Sequence, residues 1–389
     1  MNIAFFTDSY HPYVSGVVNS IDRFKKELER QGHRVYIFAP AYPAVEREEG
    51  VFRFLSLPVV VQKDFRLAIP LSRKLIPVMK NLDLDIIHTH TPFLMGRLAR
   101  YGARKLGLPL VFTFHTLYDK YLHYVPVAGG VITPFLNYYL REYCNSCNMV
   151  IAPSTYVKQE LEKQGLEVPV TAVSTGIDLT PFKDIDEEGL KYLRKSYNIE
   201  EEEKILIFVS RLGEEKNPLF LLKAYHRLID KYGLRPRLLI VGDGPEREKL
   251  ETYCQKNGLM EQVIFTGKRK YEEVVQLYKM SSLFVFPSKT ETQGLVTLEA
   301  MAGGLPVVAV NAAGSSTMVE HGVDGFLVEE DADEFARAVY EILINEILYN
   351  EMKKNALKKA EELSIEKMAG RLLAVYNEAG RRELAGKAL

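Results

Sequence analysis

The chain has 389 residues, with 50 Lys and Arg against 51 Asp and Glu, and 47% of its residues are hydrophobic. This length predicts two or three domains with substantial cores, and a net charge of -1 argues against a nucleic-acid-binding protein. Three cysteines are too few for a disulfide framework and fit a reducing compartment.

Short apolar runs alternate with amphipathic stretches through the first half of the chain. This alternation predicts helices at residues 17–31 and 92–106 and a parallel sheet covered on both faces. The strands of that sheet are predicted at residues 3–6, 35–38, 86–89, 110–114 and 149–152. No basic region or cleavage site of a signal peptide precedes the first strand, and no apolar run is long enough to span a bilayer. We therefore expect a cytoplasmic protein.

The same rhythm restarts after a turn-rich break near residues 176–186. Strands are predicted at residues 205–209, 238–241, 263–265, 283–286 and 306–310, with helices at 217–232, 246–256 and 271–280. Three further helical patterns close the chain, at residues 331–345, 349–363 and 365–382. The predicted fold class is α/β, with two similar doubly wound domains covering residues 1–180 and 181–364 and a last helical segment at 365–389.

Two carboxylates flank a glycine turn in the second half. Glu291 falls in a polar loop, while Glu299 falls about one turn inside a predicted helix that starts near Gly294. The free N–H groups at such a helix start, close to Gln293 and Leu295, attract an oxyanion. Two carboxylates beside it repel an anion unless they bind hydroxyl groups instead. The combination fits a sugar joined to a phosphate.

This stretch resembles the Glu-x7-Glu signature of the retaining glycosyltransferases of family GT4, which have the GT-B fold. The string Thr-Glu-Thr-Gln-Gly-Leu-Val at residues 290–296 is similar to that of bacterial diacylglycerol glucosyltransferases. The resemblance implies two Rossmann-like domains facing across a cleft, the first on the acceptor side and the second binding the nucleotide sugar. In that family the last helix, here within residues 365–389, commonly crosses back to the first domain.

Arg211 and Lys216 follow a predicted strand and precede a helix. Ligands of open α/β sheets bind at the carboxyl ends of the strands, and a guanidinium beside an ammonium neutralises much of a diphosphate. The resemblance implies that this Arg-x4-Lys pair holds the donor pyrophosphate and stabilises the departing nucleotide.

Two further strand ends in the second half are predicted to border the nucleotide. Gly242 lies in a Gly-Asp-Gly turn that permits close backbone approach, although no dinucleotide fingerprint is present. Lys268 and Arg269 follow the next strand, and the resemblance implies main-chain contacts with the base. Plain strand-to-helix turns are the alternative for both loops.

In the first half, Ser15 and Gly16 immediately precede a predicted helix, where N–H groups face a phosphate. Family members often carry Gly-Gly at this point, so Ser15 departs from the pattern and adds a hydroxyl. His115 ends a buried strand, and the matching family histidine hydrogen-bonds the transferred sugar. His88 and His90 share one face of a strand; for them we favour structural or acceptor-loop roles over a zinc site.

We predict no metal and no cofactor besides the nucleotide sugar. The Asp-x-Asp pattern of metal-dependent transferases occurs at residues 83–85, 184–186 and 331–333, and so many matches in one chain carry little information. Arg211, Lys216 and the helix dipoles are expected to take the place of a metal ion.

A basic segment lies at residues 63–80, with five Lys or Arg and one Asp among apolar residues. Such a segment binds an anionic membrane surface, and the aromatic stretch at residues 118–139 adds to it. An ordinary surface helix with a packed loop is the alternative. The expected location is therefore cytoplasmic, peripheral on the inner face of the cell membrane.

The function predicted is transfer of a hexose with retention from UDP-glucose to a lipid such as diacylglycerol. Glu299 is expected to bind the ribose, Glu291 the sugar hydroxyls, and His115 to orient the sugar. GDP-mannose as donor and a soluble acceptor remain alternatives. Two other classes stay open: a non-hydrolysing sugar-nucleotide epimerase and a catalytically silent nucleotide-sugar sensor.

Overall fold

A computed structural model describes residues 1–13, 15–43, 45–59, 65–69, 75–115, 129–183, 186–289, 291, 293–312 and 315–387. The chain divides into two compact units. The first unit comprises Met1–Gly176 together with Ile365–Leu389, and the second comprises Ile177–Ser364. The division follows Gly176, and the last helix, Ile365–Lys387, belongs to the first unit.

The first unit is built on a parallel sheet of seven strands. These strands are β1 (Asn2–Phe6), β2 (Arg34–Pro40), β3 (Val51–Phe54), β6 (Ile86–Thr89), β7 (Leu110–Thr113), β8 (Met149–Ala152) and β9 (Val170–Ala172), and a separate antiparallel pair consists of β4 (Ser56–Pro58) and β5 (Arg66–Ala68). Their order in the sheet is β3-β2-β1-β6-β7-β8-β9. The chain therefore winds outwards from β1 in one direction and from β6 in the other, as in a doubly wound Rossmann-like sheet.

Helices connect these strands. They span Gly16–Arg30, Leu75–Asn81, Leu94–Leu106, Gly129–Asn145, Thr155–Lys163 and Ile365–Lys387. The helix Gly16–Arg30 begins where the Ser15 hydroxyl accepts a hydrogen bond from the Val18 N–H at 3.3 Å, which satisfies one free donor of the first turn. The helix Leu94–Leu106 ends at Gly107, whose φ of 62° is easy only for glycine.

The core of the first unit forms around strands that are mostly apolar. β6, β7 and β8 are buried at every position, as expected for strands covered on both faces. Phe6 and Phe38, on neighbouring strands, stack with ring centroids 4.4 Å apart. The last helix packs here as well, burying Met368, Leu372 and Tyr376, and each such side chain contributes roughly 1.5–3 kcal/mol to stability.

The second unit repeats the plan with six parallel strands. They are β10 (Ile205–Val209), β11 (Arg237–Val241), β12 (Val263–Gly267), β13 (Leu283–Phe286), β14 (Val307–Val310) and β15 (Gly325–Val328). Their order is β12-β11-β10-β13-β14-β15. The winding direction changes between β10 and β13, so a crevice opens beyond the carboxyl ends of these two strands.

The helices of the second unit cover both faces of its sheet. They span Thr180–Lys183, Glu187–Ser196, Pro218–Tyr232, Arg247–Lys256, Tyr271–Met280, Leu295–Ala302, Ser315–Met318, Ala332–Ile344 and Glu346–Glu362. The two ends of the unit meet: the Ile177 N–H donates to the Leu363 carbonyl at 3.0 Å, and Ile177 forms a β-bridge with Ser364.

The basic segment at residues 63–80 falls partly outside the described residues, as does the aromatic stretch at 118–139. Its described parts are β5, in which Leu67 is exposed, and the helix Leu75–Asn81, in which Leu75 and Met79 are buried. Within the described part of the chain, no helix is both long enough and apolar enough to cross a membrane.

Candidate functional site

In the second unit, the crevice between β10 and β13 brings together residues from two distant parts of the chain. The loop after β10 carries Arg211 and Lys216, and the loop after β13 carries Ser288 and Glu291. Because parallel strands end at the same edge of the sheet, both loops lie at the position where doubly wound sheets bind ligands.

Lys216 and Glu291 form an ion pair at this edge. The Lys216 Nζ donates to the Glu291 Oε1, and the Ser288 hydroxyl donates to the same oxygen at 3.3 Å. The side chains of Lys216 and Glu291 are only 19% and 17% exposed. A mostly buried ammonium paired with a single carboxylate can exchange that partner for a phosphate oxygen, which leaves the carboxylate available for hydroxyl groups.

Arg211 lies in the same loop but has a different partner. Its Nη2 donates to Glu215 Oε1 at 3.0 Å, and its side chain is 66% exposed. Burial alone raises the pKa of Glu215, but its backbone hydrogen bond and the charges of Arg211 and Lys216 outweigh burial and lower that pKa. The guanidinium is therefore held at the crevice by an ionised carboxylate, with most of its surface free.

Gly242 supports this loop by backbone contact. Its φ is 128°, and a Cβ atom at this position would lie 1.9 Å from the Ser210 carbonyl oxygen. The close approach allows the Ser210 N–H to donate to Val241 O at 3.0 Å and the Leu212 N–H to donate to Asp243 O at 3.0 Å. The Gly-Asp-Gly turn thus fixes the backbone on both sides of Arg211.

Gln293, Gly294, Leu295 and Glu299 form the start of one short helix. Gly294 adopts the left-handed conformation (φ 69°, ψ 44°) immediately before the helix Leu295–Ala302, so the first turn begins at the crevice. Gln293 and Glu299 are both buried, and burial together with the Glu299 charge raises the pKa of Tyr278 well above its usual value. Glu299 is therefore a carboxylate enclosed by the core, with little access to bulk water.

Lys268 and Arg269 lie further along the edge. They follow β12, the outermost strand on that side, so that β11 separates them from the Lys216 loop. Both are exposed, and Arg269 lies 3.8 Å from a Glu273 carboxylate oxygen. The structure does not bring their side chains to the Lys216–Glu291 pair.

In the first unit, Ser15 and Gly16 form the start of the helix Gly16–Arg30. The Ser15 hydroxyl caps that helix, as described above. A Cβ at Gly16 would meet no atom within 4 Å. The space above Gly16 is open to a ligand, since packing within the described residues does not require a glycine there.

His115 is part of a chain of three imidazoles at the ends of β6 and β7. His90 Nδ1 lies 2.9 Å from His115 Nε2, and the two rings stack 5.2 Å apart. Deeper in the unit, the His88 ring bonds to the Thr113 hydroxyl and to the Tyr376 hydroxyl, each at 2.7 Å. Tyr376 belongs to the last helix, which is thereby tied to this network.

Burial keeps all three imidazoles neutral. It lowers the pKa of His115 to about 4 and those of His88 and His90 well below the usual value, with neighbouring imidazoles adding to the effect for His88 and His90. His88 and His90 are almost fully enclosed, whereas part of His115 reaches the surface. At neutral pH these three side chains therefore act as neutral donors and acceptors of hydrogen bonds and carry no positive charge.

The unpaired nitrogen of His90 favours one tautomer. His90 Nε2 is buried and has no hydrogen-bond partner within the described residues. An unpaired acceptor costs less than an unpaired N–H, so the proton of His90 is better placed on Nδ1, donating to His115 Nε2. The proton of His115 then lies on Nδ1, where it can donate to an oxygen atom of a ligand.

Two residues that sequence reasoning did not single out belong to these sites. Asp8, at the end of β1, accepts from the Met95 N–H at 2.9 Å through Oδ1, while its buried Oδ2 has no partner in the described chain. Burial raises the pKa of Asp8. Ser288 is fully buried beside Glu291. Both are polar residues that lie two positions after the end of an apolar strand, and this was the available signal.

Among the described residues, no group of three or more His, Cys, Asp or Glu side chains is arranged to hold a metal ion. Cys144 and Cys147, which share a redox-motif spacing, are buried free thiols, and burial raises their pKa values. These thiols are packed in the core of the first unit.

Two doubly wound units with a ligand crevice at the switch point define the GT-B fold, and comparison with solved structures agrees. A protein from Anabaena, HepE, crystallised with UDP, matches 97% of this chain and 100% of its own chain, with a TM-score of 0.77 and 20% identity. The family models that match both units show that this fold is that of a glycosyltransferase.

The family follows from the sequence comparisons. The model "Glycosyltransferase Family 4" matches residues 14–181, and the model "Glycosyl transferases group 1" matches residues 191–359. An alpha-monoglucosyldiacylglycerol synthase of Streptococcus pneumoniae is 36% identical, over 88% of this chain and 78% of its own length. A GDP-mannose-dependent alpha-mannosyltransferase of Corynebacterium glutamicum is 29% identical, over 85% of this chain and 77% of its own. The chain belongs to glycosyltransferase family 4.

Proposed function

We propose that this glycosyltransferase transfers glucose from UDP-glucose to a diacylglycerol-type lipid with retention of the anomeric configuration. The observation that carries the proposal is the Lys216–Glu291 pair, supported by Ser288, at the ligand crevice of the second unit. The named activity of the Streptococcus pneumoniae relative supports glucose and the lipid acceptor. The UDP complex of the Anabaena protein supports the nucleotide.

The donor binds through its diphosphate. A diphosphate oxygen replaces Glu291 as the partner of Lys216, and other diphosphate oxygens bind the exposed guanidinium of Arg211. Glu291 then accepts hydrogen bonds from sugar hydroxyls. Glu299 binds the ribose hydroxyls, and the amides at Gln293–Leu295 face negative charge at the helix start. For the first unit, the proposal keeps the predicted roles of His115, towards the transferred sugar, and of Gly16, towards the diphosphate.

In the transfer step, the bond between the anomeric carbon and the β-phosphate oxygen breaks, and a bond to the acceptor oxygen forms on the same face. The acceptor proton passes to an oxygen of the departing diphosphate. Lys216 and Arg211 stabilise the charge that develops on that leaving group, so the reaction needs neither a metal ion nor a protein nucleophile. Because the acceptor is a lipid, the enzyme would work at the inner face of the cell membrane.

The test uses the purified protein with UDP-glucose and diacylglycerol in mixed micelles. We expect a glucosyl-diacylglycerol by mass spectrometry, with an α-anomeric proton in its NMR spectrum. A β-anomeric product would refute retention. Glycosylation of a soluble alcohol with no lipid product would refute the lipid acceptor.

GDP-mannose is the second candidate donor, because the Corynebacterium glutamicum relative is named for it. The same assay decides between them when the two donors are offered together. An excess of mannosyl product over glucosyl product would show that GDP-mannose, and not UDP-glucose, is the preferred donor.

A further inference from the structure

The first unit contains an apolar cavity near its candidate site. The cavity has a volume of about 250 Å³ and is lined by Phe93, Leu94, Arg97, Phe135, Leu136 and Tyr139. Among the described residues that line it, Arg97 alone is charged, so the cavity favours a hydrocarbon chain over a polar ligand.

The walls of this cavity are well defined. Phe93 and Tyr139 stack with centroids 6.1 Å apart, and the Tyr139 hydroxyl donates to the Pro92 carbonyl at 2.6 Å. This bond ties the helix Gly129–Asn145 to the segment that follows β6. The same segment begins with His90, so the cavity lies just beyond the strand end that carries the His90–His115 pair.

The surface beside the cavity has the chemistry of a lipid-binding face. Phe135 is 73% exposed and Tyr138, on the same helix, is 64% exposed. Exposed aromatic side chains grouped at an apolar opening are a common feature of binding surfaces. The helix Leu94–Leu106 adds four cations, at Arg97, Arg100, Arg104 and Lys105, and no acidic residue.

This pattern identifies the occupant. A helix that carries only cations beside an apolar opening matches a membrane surface, because a bilayer offers hydrocarbon to the cavity and phosphate groups to the helix. We propose that the cavity binds one acyl chain of the lipid acceptor, with the acceptor hydroxyl directed towards the strand ends at His90 and His115. This inference rests on the proposed lipid acceptor and adds where its chain is held.

The proposal predicts how activity depends on chain length. Each methylene that leaves water improves apparent affinity roughly fourfold, so KM should fall steeply from dibutanoyl- to dioctanoylglycerol until the cavity is full. Leu136→Trp fills the cavity from the helix Gly129–Asn145. We expect it to raise KM for dioctanoylglycerol at least tenfold and to leave KM for dibutanoylglycerol nearly unchanged.

Two further variants keep the test decisive. Phe135→Ala removes an exposed side chain from the cavity wall with little risk to folding. It should reduce, but not abolish, the dependence of KM on acyl-chain length. Asn137→Ala is the matched control, since Asn137 is exposed on the same helix but does not line the cavity, and its series should follow that of the unaltered protein. Thermal melting of each variant reports folding.

A direct binding measurement separates this inference from the proposed function. A fluorescent dioctanoylglycerol analogue is titrated into the unaltered protein and Leu136→Trp without nucleotide sugar. Tighter binding to the unaltered protein supports the cavity even if only soluble alcohols are glycosylated, a result that would refute the lipid acceptor. Equal binding by both proteins would overturn the acyl-chain site, whichever acceptor is used. A difference in binding that is explained by a change of oligomeric state, measured by sedimentation, would overturn it as well.

Discussion

At the scale of single residues, Lys216 is held ready for exchange. It is mostly buried and bound to one carboxylate, so an incoming diphosphate finds an ammonium already in position and needs only to displace Glu291. Arg211 supplements it from a more exposed position. Removing Lys216 leaves Glu291 unpaired at the crevice, which then repels an anionic ligand.

We therefore expect Lys216→Ala to lower kcat/KM for the nucleotide sugar by about 100-fold or more, the usual effect of losing one preorganised charge-stabilising donor. Steady-state kinetics at saturating acceptor measures this. Lys289→Ala is a suitable control, because Lys289 lies on the same edge but pairs with Glu330. A Lys289→Ala loss as large as that of Lys216→Ala would show that general positive charge, not the pair, is what matters.

The three neutral imidazoles make the stability of the first unit depend on pH. In the unfolded chain each histidine titrates near 6.5, whereas in the folded protein their pKa values are lowered, that of His115 to about 4. Between these values only the unfolded chain binds the protons. Stability is therefore full above pH 6.5 and is lost as pH falls towards 4, by up to about 1.4 kcal/mol per pH unit for each imidazole.

Thermal melting between pH 7.5 and 5 should show this trend, with a shallower slope in His115→Asn. His226→Asn, at a partly exposed histidine of the second unit outside this network, is the control for the loss of an imidazole as such. Asp8, whose pKa is raised, acts in the opposite direction at the acidic end. An equal slope in His115→Asn and the unaltered protein would contradict the assignment to this network.

Sequence reasoning could find most of the residues at these sites but not their partners. Arg211, Lys216 and Glu291 follow apolar strands, and that position identifies ligand-facing loops. The bond between Lys216 and Glu291 joins residues 75 positions apart, and only the strand order brings them together. His90 likewise required the neighbouring positions of β6 and β7 before its contact with His115 could be seen.

At the scale of elements, the Gly242 turn is a support for the Arg211 loop. Gly242→Ala would force a Cβ into the Ser210 carbonyl and strain a φ of 128°. We expect a stability loss of roughly 1–3 kcal/mol and weaker nucleotide binding by calorimetry, because the backbone on both sides of Arg211 must shift.

Gly258→Ala is the matched control for this change. Gly258 also has a positive φ, of 67°, but a Cβ there would meet no atom within 4 Å. It should cost some stability and leave nucleotide affinity unaltered. Equal nucleotide affinities in the two variants would argue that the turn does not position the binding loop.

The predicted strands were correct in the interior of each sheet and incomplete at the edges. Residues 86–89, 149–152, 205–209 and 283–286 were predicted as strands with the bounds that the structure gives. The separate pair β4 and β5 was missed, and so were β3, β9 and β15, each an outermost strand of one of the two large sheets. Edge strands are covered less, and these three are only partly buried, so they lack the continuous apolar run that marks an interior strand.

At the scale of the whole molecule, the proposed reaction relies on fixed protein charges. We expect full activity after dialysis against EDTA, with no increase on adding Mg²⁺ or Mn²⁺, because Lys216 and Arg211 supply the positive charge. Initial rates of nucleotide-sugar turnover measure this. A loss restored by one of these ions would show that a metal takes part in the reaction.

Because Ile177 and Ser364 are adjacent, the second unit is an insertion whose first and last residues lie side by side. Both sheets keep their strand order if the two crossings of the chain at this point are each closed by a short linker. Residues 177–364 are thus suited to excision as a separate module, with a short linker from Gly176 to Ile365 closing the remaining chain. Evolution could exchange one half without redesigning the other, which would let donor preference and acceptor preference vary independently.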